Sequence, residues 1–272
     1  MYVISEIIGP SPANSGLGNQ LFCVSAAVAY SLRLDKHLFF PQLFTDPSIS
    51  RYREVFYNNL RCSPDPMFAT TAESTNTPVI YREYNCPPFS YTEIPHFDGS
   101  VKLRGYFMSE KYFADHKKEL FEILGISPLR REIKKKYGDF SDHVSVHVRR
   151  GDYLHLKDYH TNLGMDYYKK AIEAVGEHSK FLVFSDDLGW CKENLTFLKN
   201  VEYSPCDEDY EDLILMSTCK HNIIANSTFS WWGAYFNERK EKMVIFPRDW
   251  FGPKKRHQRS LEDIVPSEWV GA

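Results

Sequence analysis

The sequence has no uninterrupted apolar run of about 18 residues, the minimum for a membrane-crossing helix. Its first ten residues include Glu6 and Pro10 where a secretory segment would be apolar. It also lacks any CxxC pair. Cys23, Cys62, Cys86, Cys191, Cys206 and Cys219 are scattered, which argues against a structural zinc site or a disulfide framework and leaves free thiols as the expectation. Charge of one sign is not in excess either: 33 Lys+Arg against 36 Asp+Glu give a net charge of −3. No global field therefore attracts nucleic acid or an anionic membrane, and any anion site must be a local cluster. Fixed-period repeats and low-complexity tracts are absent. What remains is a chain of 272 residues, 43% hydrophobic, long enough for one large or two modest domains with their own cores. Its aromatic residues, 15% of the total, are expected chiefly in those cores.

The pattern after about residue 140 is α/β. Val144–Val148, Phe181–Phe184, Ile223–Ala225 and Val244–Phe246 are short apolar or β-branched runs of the kind buried on both faces of a parallel sheet. Tyr168, Ala171, Ile172 and Val175, and then Tyr210, Leu213, Ile214 and Ser217, recur at helical spacing between them. The first half predicts a strand at Val3–Ile8, a helix at Leu21–Leu34, a strand at His37–Phe40, a Pro-interrupted region to Pro95, a strand at Leu103–Phe107 and a helix at Tyr112–Leu124 closed by Gly125. A boundary at Ser127-Pro128 gives an amino-terminal domain, 1–127, and a carboxyl-terminal domain, 128–272, whose tail is free to return to the first.

Three of the later runs end in polar clusters: His147-Val148-Arg149-Arg150-Gly151-Asp152, Ser185-Asp186-Asp187, and Asn226-Ser227-Thr228-Phe229-Ser230. Ligands of open parallel sheets sit beyond the carboxyl ends of the strands, so these clusters are expected to share one site. Alternation along the first strand puts His147 and Arg149 on one side. Adjacent guanidinium groups suit a diphosphate, the alternative being structural pairing of Arg149 and Arg150 with Asp152, Asp186 or Asp187. Ser227 or Thr228 fits an N-cap, and free N–H groups there can bind an anion. Gly16-Leu17-Gly18-Asn19-Gln20 precedes a helix and offers a further anion cradle, although it is neither GxGxxG nor a P-loop. Asp207-Glu208-Asp209 could chelate a cation, but acids at a helix start are favoured by its dipole without a metal. The glycosylation patterns at Asn194 and Asn226 carry little weight alone.

Gly18-Asn19-Gln20, Gly105-Tyr106-Phe107 with Tyr112-Phe113, His147 to Tyr153 and Asn226 to Tyr235, in this order, resemble the α-1,2-fucosyltransferases of glycosyltransferase family 11. The resemblance spans most of the chain. It implies a GT-B type fold, two Rossmann-like domains facing across a cleft, a GDP-β-L-fucose donor, a galactose-terminated glycan acceptor, and inversion without an essential metal or further cofactor. On the family pattern Arg149 holds the β-phosphate and Arg150 supports the site. Ser227, Thr228, Phe229 and Ser230, with Asn226, form the diphosphate turn, and His147 and Asp212 lie around guanine and ribose. The resemblance makes 128–272 the GDP-sugar-binding domain and 1–127 the acceptor-side domain, from which come Gly18 and Asn19, with Asn19 near the reacting sugar. Asp152 is the candidate base, or else a salt-bridge partner. Gly9 to Ser15 lengthens the connection into the glycine turn relative to the family. The missing amino-terminal anchor implies a cytoplasmic enzyme of microbial or viral type. Other readings are a transferase for another nucleotide sugar or acceptor, and a catalytically silent nucleotide-sugar or glycan binder. The acceptor's identity and the oligomeric state leave no pattern in the sequence.

Overall fold

The computed structural model describes residues 1–7, 16–60, 78–83, 90–177, 179–256 and 261–272. The connection from Gly9 to Ser15, Ile8, Cys62, Cys86 and part of the Pro-interrupted region lie outside these. The chain divides into two compact units, Met1–Ser127 with Glu262–Pro266, and Pro128–Leu261 with Ser267–Ala272.

In the first unit, β1 (Tyr2–Ile7), β2 (His37–Phe39), β3 (Val79–Arg82) and β4 (Val101–Gly105) form a parallel sheet in the order β2-β1-β4-β3. Val3, Ile4, Val101 and Leu103 are buried in its core. Helix α1 (Leu17–Leu34) packs against β1. Its Leu21, Phe22, Val24, Ala26, Ala27 and Val28 are all buried, as expected of a helix apolar on every side, and Ser25, Ala26 and Ala29 allow close approach. The helix begins at Leu17, earlier than the expected Leu21, because the Gly16 carbonyl accepts from the Asn19 and Gln20 N–H groups at 3.0 and 3.2 Å. The glycine turn is thus the first helical turn. The expected helix from Tyr112 is confined to α2 (Lys117–Ile123), preceded by tight turns at Glu110–Tyr112 and Ala114–His116. Phe113 adopts φ −141° between those turns and buries its ring near Phe22, which breaks the helical run. Gly125 follows α2 with φ +66°, a conformation glycine adopts without steric cost.

Helix α3 (Ile126–Tyr137) runs through Ser127-Pro128 with the proline in its first turn, where no N–H is needed. The second unit then contributes β5 (His143–Val148), β6 (Lys180–Ser185), β7 (Val201–Tyr203), β8 (His221–Ile223), β9 (Val244–Phe246) and β10 (Val270–Gly271). Their order is β10-β9-β8-β5-β6-β7, all parallel. Counted along the chain from the far edge, this is 3-2-1-4-5-6, the doubly wound arrangement. The connecting helices are α4 (Met165–Val175), α5 (Leu188–Asn194), α6 (Asp209–Met216) and α7 (Thr228–Tyr235). Val144, Val146 and Val148 pack with Tyr168, Ala171 and Ile172 of α4 and Cys191 of α5. Of the cysteines, Cys23, Cys191, Cys206 and Cys219 are free thiols. No helix among the described residues is long and apolar enough to cross a membrane.

The opposite face of β5 is polar. Asn222 Nδ2 donates to Ser145 Oγ at 2.7 Å and to the Met216 carbonyl at 2.8 Å. Asn237 Nδ2 donates to Asn222 Oδ1 at 2.8 Å and to the Cys219 carbonyl at 2.9 Å. These buried bonds join β5, β8 and the end of α6, the supports of the loops described below. Asn222→Ala leaves several buried groups without partners and is expected to cost about 2–3 kcal/mol. Urea unfolding measures this, and a loss below about 0.5 kcal/mol would remove the network from the fold's supports.

Candidate active site

With this strand order the chain leaves β5 toward β6 and returns on the other side as β8, so the loops beyond the two carboxyl ends diverge and leave room for a ligand. β5 ends in Arg149-Arg150-Gly151-Asp152, β8 leads to Asn226-Ser227, β6 to Asp186-Asp187 and β7 to Ser204. All lie along one edge of the sheet.

Asp186 organises the first of these turns. Its Oδ1 accepts from the Arg150 N–H at 2.9 Å, and its Oδ2 lies 3.0 Å from Arg149 Nη1. A Cβ on Gly151 would meet Asp186 Oδ2 at 2.5 Å, so glycine is what lets the carboxylate approach. Arg149 is also paired with Asp152 through Nη2 at 2.6 Å and lies over the Tyr153 ring at 5.4 Å. Arg150 donates through Nε to Asp187 Oδ2 at 3.1 Å and stacks on Trp190 at 3.9 Å. Asp187 in turn caps α5, accepting from the Trp190 N–H at 3.0 Å. Both arginines therefore have the carboxylate partners weighed for them in the sequence. Those pairings align the guanidinium groups without closing off Arg149, whose side chain remains 34% exposed.

The second turn is fastened to the first. The Tyr153 hydroxyl donates to the Asn226 carbonyl at 3.1 Å, and its ring stacks on His160 at 4.1 Å. Asn226 is buried, its Nδ2 donating to the Thr161 and Trp250 carbonyls at 2.9 and 2.8 Å. It shapes the turn from inside, a position incompatible with a glycan on its side chain. Ser227 is the N-cap of α7, its Oγ accepting from the Phe229 N–H at 3.3 Å. Thr228, Phe229 and Ser230 form the first turn of that helix, Ser230 being fully buried. The helix is held by Trp231, Trp232 and Tyr235, all buried, and a Cβ on Gly233 would come within 2.9 Å of Met216 Cβ on α6. Its N-terminal N–H groups are thus a fixed positive end. His147 is buried with its ring 5.7 Å from that of Phe229. Burial first, and then the charge of Arg149, bring its pKa down to about 3, so it lines the site as a neutral ring.

Asp212 lies in the first turn of α6, beyond the β7 end, and accepts from the Ser204 hydroxyl. Burial pushes its pKa up to about 6. Glu208 caps α6 and forms a reciprocal capping box with Glu211, the helix-start role of this acidic run. No group of three or more His, Cys, Asp or Glu side chains able to hold a metal ion occurs among the described residues. Gly18 and Asn19 lie in the first turn of α1 in the other unit. Sequence reasoning missed the parts played by Gly151, Tyr153 and Trp190. The glycine directly after two arginines, inside the motif, was the available signal for the first.

The model for the family described as "Glycosyl transferase family 11" matches residues 80–272. The chain belongs to glycosyltransferase family 11. Among curated relatives, this family 11 chain is 41% identical over 141 residues to an O-antigen biosynthesis glycosyltransferase, WbnK, of Escherichia coli, covering 48% of this chain and 47% of the relative. It is 36% identical over 188 residues to an alpha-1,2-colitosyltransferase of Escherichia coli, covering 63% and 62%. It is 28% identical over 188 residues to galactoside alpha-(1,2)-fucosyltransferase 2 of Sus scrofa, covering 60% and 53%. The matched segment thus spans about half to three fifths of these relatives. Among solved structures, fucosyltransferase NodZ from Bradyrhizobium superposes with a TM-score of 0.50 at 14% identity, covering 85% of this chain and 92% of that one. A mutant of Arabidopsis thaliana FUT1 in complex with GDP gives 0.50 at 13%, covering 90% and 70%. These likenesses show the fold, which is α/β of GT-B type, as the family resemblance implied.

Two outcomes test the geometry of this family 11 site. Because His147 is held far below its unfolded value of about 6.5, the unfolded state binds the extra proton between that pH and about 3. Stability should therefore fall as pH drops through this window, by up to about 1.4 kcal/mol per unit. His147→Gln should flatten that dependence, and urea unfolding across the window would show an unchanged slope if the assignment were wrong. Gly151→Ala should displace Asp186 from the Arg150 N–H and lower stability by about 1–3 kcal/mol, measured by urea unfolding; wild-type stability would count against the clamp.

Proposed function

We propose that the protein transfers L-fucose from GDP-β-L-fucose, with inversion and without an essential metal, to the 2-hydroxyl of a terminal β-galactoside. Membership of family 11 supports glycosyl transfer, and the relatives named for α-1,2 linkages support the linkage. The observation that carries the donor reading is the meeting of Arg149, Arg150 and the Ser227-capped end of α7 beyond β5 and β8. Fixed cationic and N–H donors can stabilise a departing diphosphate without the reorganisation that water would need.

In this reading Arg149 holds the β-phosphate, Arg150 fixes the turn, and Ser227 to Ser230 receive the diphosphate, with Asn226 supporting their loop from beneath. Asp212, ionised above about pH 6, accepts from guanine N1–H and N2–H₂ at the far end, with the neutral His147 along the wall. Asn19 and Gly18 serve the reacting sugar. Asp152, engaged by Arg149 at 2.6 Å, positions that guanidinium, and it acts as base only if the pair opens. A second donor follows from the colitosyltransferase relative: colitose has the fucose configuration without the 3-hydroxyl, so the same diphosphate site would serve it.

Arg149→Ala should reduce GDP release from GDP-fucose in the presence of a β-galactoside by roughly 10² or more; retained turnover would remove its assigned role. In a thermal-shift series, GDP at about 100 times its Kd should stabilise by about 2.7 kcal/mol and exceed UDP and ADP at equal concentration. UDP preference would reject the guanine site, and GDP-colitose turned over faster than GDP-fucose would select the second donor.

A further inference from the structure

The acids around the start of α6 are not equivalent. Glu211 is buried and meets Lys136 Nζ and the Tyr137 hydroxyl, each at 2.7 Å, and Asp207 lies 3.5 Å from the same ammonium. Asp212, the next residue after Glu211, is met among the described residues by neutral donors. The Ser204 hydroxyl donates to its Oδ1, and the Cys206 thiol is hydrogen-bonded to the same carboxyl. Burial pushes that thiol's pKa up to about 12, so it stays protonated and remains a donor. The carboxylate is thus aligned without its charge being balanced by a cation.

Ser204 is itself fixed before it reaches Asp212. Its N–H donates to the Val183 carbonyl at 2.9 Å, which carries the β6–β7 pairing one residue past the end of β7, and its Oγ accepts from the Cys206 N–H at 3.2 Å. A hydroxyl has one proton. With the oxygen engaged by the Cys206 N–H, that proton is left for Asp212. The aspartate is anchored from its own side, its N–H donating to the Glu208 carbonyl at 3.2 Å in the capped first turn of α6. A carboxylate can accept about four hydrogen bonds, so the serine and the thiol leave capacity for two more, and Asp212 is only partly buried. Burial raises its pKa, as do Asp209 and Glu211 on the same helix, while the bonds from Ser204 and Cys206 hold it down, and the balance is about 6. Lys136 of α3 faces Glu211 and Asp207. The serine hydroxyl therefore sets the direction of the carboxylate and favours its charged form.

We propose that Ser204 is a positioning residue for base selection, its hydroxyl presenting Asp212 as a fixed acceptor to the paired N–H donors of guanine. The proposal rests on the guanine reading of Asp212 and deepens it by naming what holds that acceptor in place.

The test is calorimetry on the full chain with GDP and with UDP, which has the same diphosphate on a different base, repeated from pH 5 to pH 8. Ser204→Ala should weaken GDP binding at least about tenfold, as losing a hydrogen bond to a charged group commonly does, and leave UDP binding unchanged. In the wild type GDP affinity should fall as pH drops through about 6; in Ser204→Ala that midpoint should move to higher pH, because a bond that favours the carboxylate is gone. Ser204→Thr keeps the hydroxyl and should restore both. Equal weakening of GDP and UDP with an unmoved midpoint would make the serine a structural staple only and overturn the proposal. If Ser204→Ala loses its cooperative melt, Ser204→Cys reads the same contact: its thiol is a weaker donor, so the preference for GDP over UDP should shrink, and an unchanged preference would overturn the proposal. A wild type without that preference strikes the guanine reading and this inference together, whereas a preference that survives in Ser204→Ala strikes this inference alone.

Discussion

The second unit depends on one carboxylate reaching one turn. Asp186 leaves β6 and binds both the backbone and the side chain of the turn leaving β5, through the Arg150 N–H and Arg149 Nη1. Without that contact the two arginines would leave the strand as flexible, mutually repelling side chains. With it, the first guanidinium is fixed from below and the second is left to Asp187 and Trp190. Gly151 is the condition for this approach, since any Cβ there would occupy the oxygen's place. The sequence motif is therefore a packing requirement as much as a set of chemical groups: the glycine admits the acid, and the acid orients the base.

The first unit repeats the device. There the carboxylate is Glu83, the strand it leaves is β3, the turn it binds follows β4, and the glycine that makes room is Gly105. In each case an acid leaving one strand satisfies the N–H groups exposed where the neighbouring parallel strand ends. Parallel strands stop with such groups unpaired, and burying them without acceptors would cost roughly 1–3 kcal/mol each. A carboxylate is a strong acceptor for them, and its second oxygen is then available for something else. In the second unit that oxygen takes Arg149. In the first it accepts from the Tyr112 hydroxyl at 3.4 Å.

Much of the second unit was legible because its strands are buried on both faces. Phe181–Phe184 and Val244–Phe246 are apolar throughout, Val144, Val146 and Val148 alternate with the buried Ser145 and His147, and the polar clusters that follow mark the strand ends. β3, β7 and β10 were not legible. They are short strands at sheet edges, partly exposed; β7 and β10 carry no apolar run, and Val79-Ile80-Tyr81 of β3 falls in the Pro-interrupted region. Helix α3 was hidden by its lysines and by a proline that reads as a boundary but sits harmlessly in a first turn. Asp152, Asp186 and Asp187 could be weighed from the sequence as partners of the two arginines, but which acid meets which arginine could not, because Asp186 and Asp187 are distant in sequence and meet them only through the pairing of β5 with β6. Glu83 gave no sequence signal, being a single acid beside an exposed strand.

The unequal exposure of the acids around Arg149 bears on how an anion could enter. Asp152 is 55% exposed and Asp186 26%. An exposed pair of the first kind is worth only about 0–1 kcal/mol, whereas Asp186 also holds the Arg150 N–H and cannot leave without freeing the turn. On the proposed reading, a phosphate carrying more charge than a carboxylate, and bonding through several oxygens, displaces the first partner at little cost and retains the second as scaffold. On the proposed reading, Asp152 keeps Arg149 aligned and its charge balanced while the site is empty, and yields as the diphosphate arrives. The guanidinium then meets its ligand already oriented, and little of the binding free energy is consumed in ordering it.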